Sequence, residues 1–411
     1  MKHHGSRHAL RRVILLALIL ATSLVCLPES LADDLALAHD QTWLRKLDRD
    51  EKLLADAMDA MRAGQLDAAL HQIEALLRIQ PDFRLAQLIR GDLLLAHAQT
   101  LDTIGNTNLH TPALDSLREE ARARLDSLLA PPPAGQYPEQ ILQLSTSIHT
   151  ALIVDTEKSR LYVFANQPGG LHYLADFYVT IGRKGAGKAR EGDERTPLGV
   201  YSITGHLSGK KLPDTYGPQA FPLSFPNDWD HMQGIGGHGI WLHGTFSGTY
   251  SRPPHASDGC VVLTNNDLDS LAQYLTPGNT IVVITDRIRW VDKDHLDKRR
   301  TAALNMLHQW QNDWESLDTN RYLSEYASQF TADGTPFGNW AANKRRVNQT
   351  KSWIKVNLDN LSLFEYPGSQ RMLMADFVQD YRSNNLNNQM HKHQYWIQQD
   401  DHWKIIAENG V

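Results

Sequence analysis

Three consecutive prolines, Pro131 to Pro133, divide the chain into two stretches of different hydrophobic period. Proline has no N–H and its ring blocks the preceding turn, so neither a helix nor a sheet interior runs through such a segment. Ahead of it, residues 33–130 repeat apolar side chains at intervals of three and four. Leu53, Leu54, Ala57, Met58 and Met61, for example, share one helical face. Beyond it, from Ser147, the period falls to two. A chain built this way is multidomain, with an N-terminal all-α domain at 33–130 and a linker at 131–147.

The second stretch itself has two parts. Ala151–Asp155, Arg160–Ala165, Tyr173–Ile181, Gly199–Thr204, His238–His243 and Thr280–Thr285 read as short strands separated by loops rich in Gly and Pro. They predict a central mostly-β domain at 148–286. A charged linker helix is expected at 287–300. Thr301–Phe330 then reads as a helix pair, and alternation returns in Ile354–Leu363, Arg371–Tyr381, His391–Gln398 and His402–Ala407. Helices followed by a curved sheet describe an α+β cone at 301–411, which resembles the nuclear-transport-factor-2-like fold. In the N-terminal domain, Ala63 to Leu70 with Ile73, Leu76, Leu77 and Pro81-Asp82 resembles the second half of a tetratricopeptide repeat. That resemblance implies a module that binds a protein partner or steadies its neighbour.

The N-terminus reads as an export address. Met1–Arg12 is basic, Val13–Leu24 is an uncharged apolar run, and Ser30-Leu31-Ala32 offers small residues for cleavage. The run is shorter than the roughly 20 residues of a spanning helix, so a signal peptide at 1–32 is expected and no stable membrane anchor. Cleavage there removes Cys26 and leaves Cys260 as the sole thiol, in an oxidising compartment. A net charge of -6 without a basic stripe argues against nucleic acid as a partner.

A lone thiol in such a compartment is either buried as a small hydrophobe or kept for chemistry. Its surroundings favour chemistry. His243 ends the apolar segment Gly239-Ile240-Trp241-Leu242, seventeen positions before Cys260. A thiol attacks a carbonyl well only as thiolate, and an adjacent imidazole can take its proton. The turn Ser257-Asp258-Gly259-Cys260 offers the backbone amides of Asp258, Gly259 and Cys260 to an oxyanion. Val261-Val262-Leu263 anchors that turn in the core.

His243-Gly244-Thr245 together with Ser257-x-Gly259-Cys260 resembles the signature of the L,D-transpeptidase (YkuD-like) catalytic domain. Ile153-Val154-Asp155 with Arg160 to Phe164, Thr196-Pro197-Leu198-Gly199-Val200-Tyr201, and Gly182 to Gly187 are similar to its other hallmarks. The resemblance covers about residues 148–286. It implies Cys260 as nucleophile, His243 as base and the Gly244 carbonyl as the group that orients the imidazole. His238 and Ser257 are expected to line the substrate site. It also implies a periplasmic enzyme acting on peptidoglycan stem peptides, without a cofactor. Water as acceptor would make it a hydrolase instead, and a relaxed site would make it a cell-wall scaffold. Two positions depart from the commonest pattern: Asp258, and Val262, where an Arg or Asn is frequent. Arg252 is the candidate replacement for that cation, with Arg195 and Lys188 behind it. No metal site is expected. The histidines are scattered, and His391 and His393 alternate on one strand as residues of a sheet face.

Overall fold

A computed structural model describes residues 49–96, 104–105, 111–129, 132–332, 334–368 and 370–410. The expected signal peptide, with Cys26, lies outside the described residues. No helix among the described residues is long and apolar enough to cross a membrane.

The helical region holds α1 (Arg49–Arg62), α2 (Leu66–Ile79), α3 (Arg84–Ala96) and α4 (Pro112–Leu129). Gly64 takes φ +72° in the turn between α1 and α2, a conformation glycine adopts without a side-chain clash. The spacing then places the core. Leu54, Ala57 and Met58 of α1 meet Ala69, Ile73 and Leu76 of α2 and Leu85, Ala86, Ile89 and Leu93 of α3, all buried.

The segment expected as a linker is built into the structure. It carries β1 (Tyr137–Pro138) and β2 (Ile141–Gln143). The central domain follows with β3 (Thr150–Asp155), β4 (Arg160–Gln167), β5 (Gly170–Tyr178), β6 (Ile181–Gly182), β7 (Gly199–Ser202), β8 (Leu207–Ser208) and β9 (Gln219–Pro222). After the short helix α5 (Asp228–Met232) come β10 (Trp241–His243), β11 (His255–Ser257), β12 (Val261–Val262), helix α6 (Asn265–Ala272) and β13 (Thr280–Thr285). Five strands form one sheet in the order β5-β4-β3-β13-β7, with β13 parallel to β3. Both central strands are buried along their whole length, which explains why they read as unbroken apolar runs. A second sheet, β12-β10-β9-β8, carries the site.

In the C-terminal part, β14 (Trp290–Val291) pairs with β1, and one helix, α7 (Lys293–Glu315), crosses the boundary expected at residue 300. The Asp292 carboxylate caps it by accepting from the His295 N–H. Short α8 (Thr319–Ser324) leads to β15 (Tyr326–Ala332), so Tyr326 and Phe330 belong to a strand and not to the expected second helix. That strand pairs with the C-terminal strand β20 (His402–Gly410), a partner the local sequence does not reveal. Between them lie β16 (Thr335–Pro336), helix α9 (Phe337–Asn348), β17 (Ile354–Glu365), β18 (Met372–Ser383) and β19 (Asn387–Gln399). The seven-stranded sheet runs β16-β15-β20-β19-β18-β17-β2.

Strand alternation divides this sheet between two cores. Leu373, Ala375, Phe377, Trp396 and Ile405 face the helices and pack with Leu307, Trp310 and Trp314. Met372, Met374, Tyr395, Ile397 and Ile406 face the other way, onto Ala151, Ile153, Tyr162, Phe164, Val200, Ile281 and Val283 of the central domain. The sheet is therefore sandwiched between its own helices and the central domain.

The helical module also docks on the central domain. Arg124 of α4 pairs with Glu120 at 3.1 Å and with Glu51 of α1 at 3.1 Å, and Glu51 reaches Arg160 of β4 at 2.8 Å. Arg160 also pairs with Asp176. The Arg124 guanidinium lies 3.9 Å from the centre of the Tyr178 ring. Burial pushes the Glu51 carboxyl up, but the Arg160 and Arg124 charges more than offset it, and it stays ionised below the usual carboxylate range.

Candidate active site

His243 and Cys260 come from neighbouring parallel strands. Leu242 pairs with Val261 and His243 with Val262, so Cys260 precedes the strand that lies against β10. Side chains on a strand alternate, so Cys260 and Val262 share a face, and His243 lies on that same face opposite Val262. Leu242 and Val261 point the other way and are buried at 1% and 0% exposure. Tyr216 packs on the side chains β10 presents on that face, its ring 5.0 Å from both Trp241 and His243.

The imidazole is fixed. Its Nδ1 lies 2.6 Å from the Gly244 carbonyl oxygen. A carbonyl only accepts, so Nδ1 carries the proton and Nε2 is left as the basic nitrogen. The Gly244 position is itself tied down. Its N–H donates to the Tyr216 carbonyl at 3.0 Å, and the Thr245 N–H donates to Asn265 Oδ1 at 2.8 Å. A Cβ at Gly244 would fall 2.3 Å from that same oxygen, so only glycine fits between the base and α6. Tyr216 and Asn265 are positioning residues the sequence reading did not find. Neither sits in a recognisable motif with His243, and only the fold brings them together.

The thiol is half-buried and donates to the Gly239 carbonyl at 3.2 Å. Burial pushes the Cys260 pKa up to about 11. Burial likewise lowers the His243 pKa to about 4; the Gly244 hydrogen bond opposes this, and the Arg252 charge adds to it. The resting thiol and imidazole are therefore both neutral near pH 7.

The turn before Cys260 differs in part from expectation. Ser257 Oγ donates to the Cys260 carbonyl at 2.6 Å and accepts the Gly259 N–H at 3.1 Å. Ser257 is buried and spends its hydroxyl inside the turn, so it shapes the turn and does not line the substrate site. The Gly259 amide is likewise committed and is not a free oxyanion donor. The Cys260 and Asp258 N–H groups have no hydrogen-bond partner among the described residues and remain as the donors available there. Thr196 braces the turn from the opposite loop, accepting from the Gly182 N–H and donating to the Gly259 carbonyl. Gly259 has φ +129°, and a Cβ there would lie 2.8 Å from the Arg195 carbonyl oxygen. We expect Gly259→Ala to destabilise the protein by about 1–3 kcal/mol, read as a lowered denaturation midpoint. An unchanged midpoint would mean that the turn is not under this constraint.

The charged candidates separate. Arg252 Nε donates to Thr245 Oγ1 at 2.9 Å and its Nη2 to the Thr215 carbonyl at 3.0 Å, which holds the guanidinium beside the His243 turn. Asp258 is exposed and pairs with Arg183. His238 is 89% exposed and its ring faces Glu191 at 3.3 Å, so it is a surface residue of the loop that leads to Gly239. Lys188 is buried against Asp193 at 2.8 Å, and Arg195 donates to the Ala186 carbonyl within its own loop. Of the three cations, Arg252 is the one held at the catalytic turn.

Comparison with known proteins now fits onto this geometry. Residues 149–284 match the model of the L,D-transpeptidase catalytic domain (YkuD), and residues 302–409 match that of the Cds6 C-terminal NTF2-like domain. The structure of Bdellovibrio bacteriovorus Bd1075 is similar at 28% identity and a TM-score of 0.59, over 67% of this chain and 98% of that one. The helical cell shape determining protein Pgp2 from Campylobacter jejuni is similar at 25% identity and a TM-score of 0.55, over 69% of this chain and 96% of that one. Comparison with curated proteins gives no match. The chain thus carries a central domain of the L,D-transpeptidase (YkuD) family and a C-terminal NTF2-like domain.

Proposed function

We propose that this protein is a cysteine acyltransferase of peptidoglycan, acting on tetrapeptide stems. The observation that carries the reading is the His243 imidazole, locked by Gly244 with Nε2 free, on the same sheet face as Cys260. In this reading Cys260 Sγ attacks the carbonyl at the L-centre of the third stem residue, a diaminopimelate, while His243 Nε2 takes the thiol proton. The oxyanion meets the Cys260 N–H. As the C–N bond breaks, the imidazolium returns its proton to the departing D-alanine amine, leaving a thioester. An incoming amine then attacks the thioester, loses a proton to His243 and restores the thiol. In this reading Arg252, held beside the His243 turn, meets a substrate carboxylate.

Hydrolysis of the same thioester is the second reading, and one observation favours it. The loop before Cys260 is fastened down: Tyr250 packs on the helical core with its ring 4.5 Å from Phe83, and Ser251 Oγ donates to Glu120 at 2.6 Å. A pinned loop admits water more readily than a second stem peptide. Incubation with purified tetrapeptide muropeptides separates the readings. Cross-linked dimers or exchanged D-amino acids support transfer, and tripeptides alone support hydrolysis. No product with wild-type protein would overturn both and leave a cell-wall scaffold.

A further inference from the structure

Away from the catalytic pair, four titratable side chains converge where the C-terminal sheet meets the central domain. His391 and His393 stand two residues apart on β19, so both rings project from the same face. Asp376 on β18 is the direct cross-strand partner of His393. His391 Nε2 approaches Asp376 Oδ1 at 2.5 Å, and His393 Nε2 lies 3.8 Å from Asp376 Oδ2. The fourth residue comes from the other domain: Asp228 of α5 places Oδ2 2.7 Å from His393 Nδ1.

We propose that His391, His393 and Asp376 form a binding site for a divalent transition-metal ion such as zinc, with Asp228 as the group that orients His393. One ligand atom from each of the three lies within 4.8 Å of the others. A tetrahedral zinc with bonds of about 2.0–2.2 Å needs its ligand atoms about 3.3 Å apart, so with all three within 4.8 Å of one another side-chain shifts of about 1–2 Å seat the ion. Two imidazoles and a carboxylate suit zinc, and the set leaves a position for water. Asp228 has its own part. Its carboxylate accepts from His393 Nδ1, which fixes the tautomer with Nε2 free for the metal. Such a carboxylate behind a ligating histidine raises ligand basicity and affinity. His391 is 45% exposed, which gives the ion a path from solvent. The ligands are on the C-terminal sheet and the orienting carboxylate is on the catalytic domain, so bound metal would fasten the two together. The sequence reading found the two histidines on one sheet face but not the carboxylates, which arrive from another strand and another domain.

The test is zinc binding to the full chain by isothermal titration calorimetry, comparing wild type with the His391→Ala/His393→Ala double variant. His3, His4, His8 and Cys260 are common to both proteins, so the site is read as a difference. The expected result is one zinc fewer per chain in the double variant. A rise in melting temperature on adding zinc to wild type should be lost in the variant. Asp228→Asn, which keeps the shape of the side chain, should weaken binding about 10- to 100-fold. If the double variant does not fold, the exposed single change His391→Ala serves, with at least a tenfold loss expected. Equal stoichiometry and affinity in wild type and variants would overturn the proposal and leave the cluster as ion pairs between domains.

Discussion

Cys260→Ser should lower turnover on tetrapeptide muropeptides by at least about 10⁴-fold while the melting temperature stays close to wild type, because an alkoxide is far harder to generate beside His243 than a thiolate. His243→Ala should cost about 10²–10⁴-fold, the range for losing a general base. The pH profile is the sharper test. With the thiol pushed up to about 11 and the imidazole down to about 4, the reactive neutral pair persists between those values. The profile of kcat/KM should therefore be flat through neutrality and fall near pH 4, not near the usual 6.5 of histidine. Alkylation of Cys260 by iodoacetamide at pH 7 should be roughly 100-fold slower than for a free thiol, since the thiolate fraction is that much smaller. Rapid alkylation at pH 7, with an alkaline limb where the imidazolium loses its proton, would show a thiolate–imidazolium ion pair instead. Stability follows the same signs. The folded imidazole refuses a proton that the unfolded chain accepts, so stability is lost as pH falls from 6.5 towards 4. The buried thiol refuses ionisation, so stability is lost as pH rises from 9 towards 11.

Arg124→Met should lower the unfolding free energy by about 3–5 kcal/mol, because it leaves the buried Glu120 carboxylate without its cation and Glu51 with Arg160 alone. Arg124 and Glu120 are each 2% exposed and Glu51 is 10% exposed, so water cannot take over the lost pairing. Adding Glu120→Gln to Arg124→Met should recover most of the loss, since the unpaired charge disappears with its partner while Glu51 keeps Arg160. Chemical denaturation of the single and double variants reads this directly. A midpoint unchanged by Arg124→Met would show that the network is open to solvent. The single variant should also loosen Tyr250 and Ser251, and with them the loop that carries Arg252. A rise in KM larger than the fall in kcat would report that.

The parts of the molecule that were legible in the sequence are those coded by near neighbours. The apolar periods placed α1 to α3 and the paired strands of the central and C-terminal sheets. His243 and Cys260 stood out because strand, turn and glycine are written next to them. What was hidden depends on distant partners. Tyr326 to Phe330 looked helical by spacing until β20, at the far end of the chain, took it as a strand neighbour. Ser257 looked available for substrate because its two internal hydrogen bonds depend on how the turn closes. Glu51 and Arg160 lie 109 positions apart, and no local pattern marks them as a pair. Asp228 and His393 are 165 apart and belong to different domains.

The strand β2 carries a consequence for the order in which the protein can be assembled. Ile141–Gln143 hydrogen-bonds to β17, and Gln143 reaches the Leu361 carbonyl 218 positions later. Closing a loop of that length costs about 5 kcal/mol of chain entropy, recovered only when the late strand has been synthesised. Until then Leu142, 2% exposed in the finished protein, lacks the C-terminal core it joins, and Ile141 has only its central-domain neighbours to pack against. The catalytic domain must wait with an open apolar edge while the last third of the chain arrives. Truncation before β17 would leave that edge bare permanently, and such fragments should aggregate even though every catalytic residue is present.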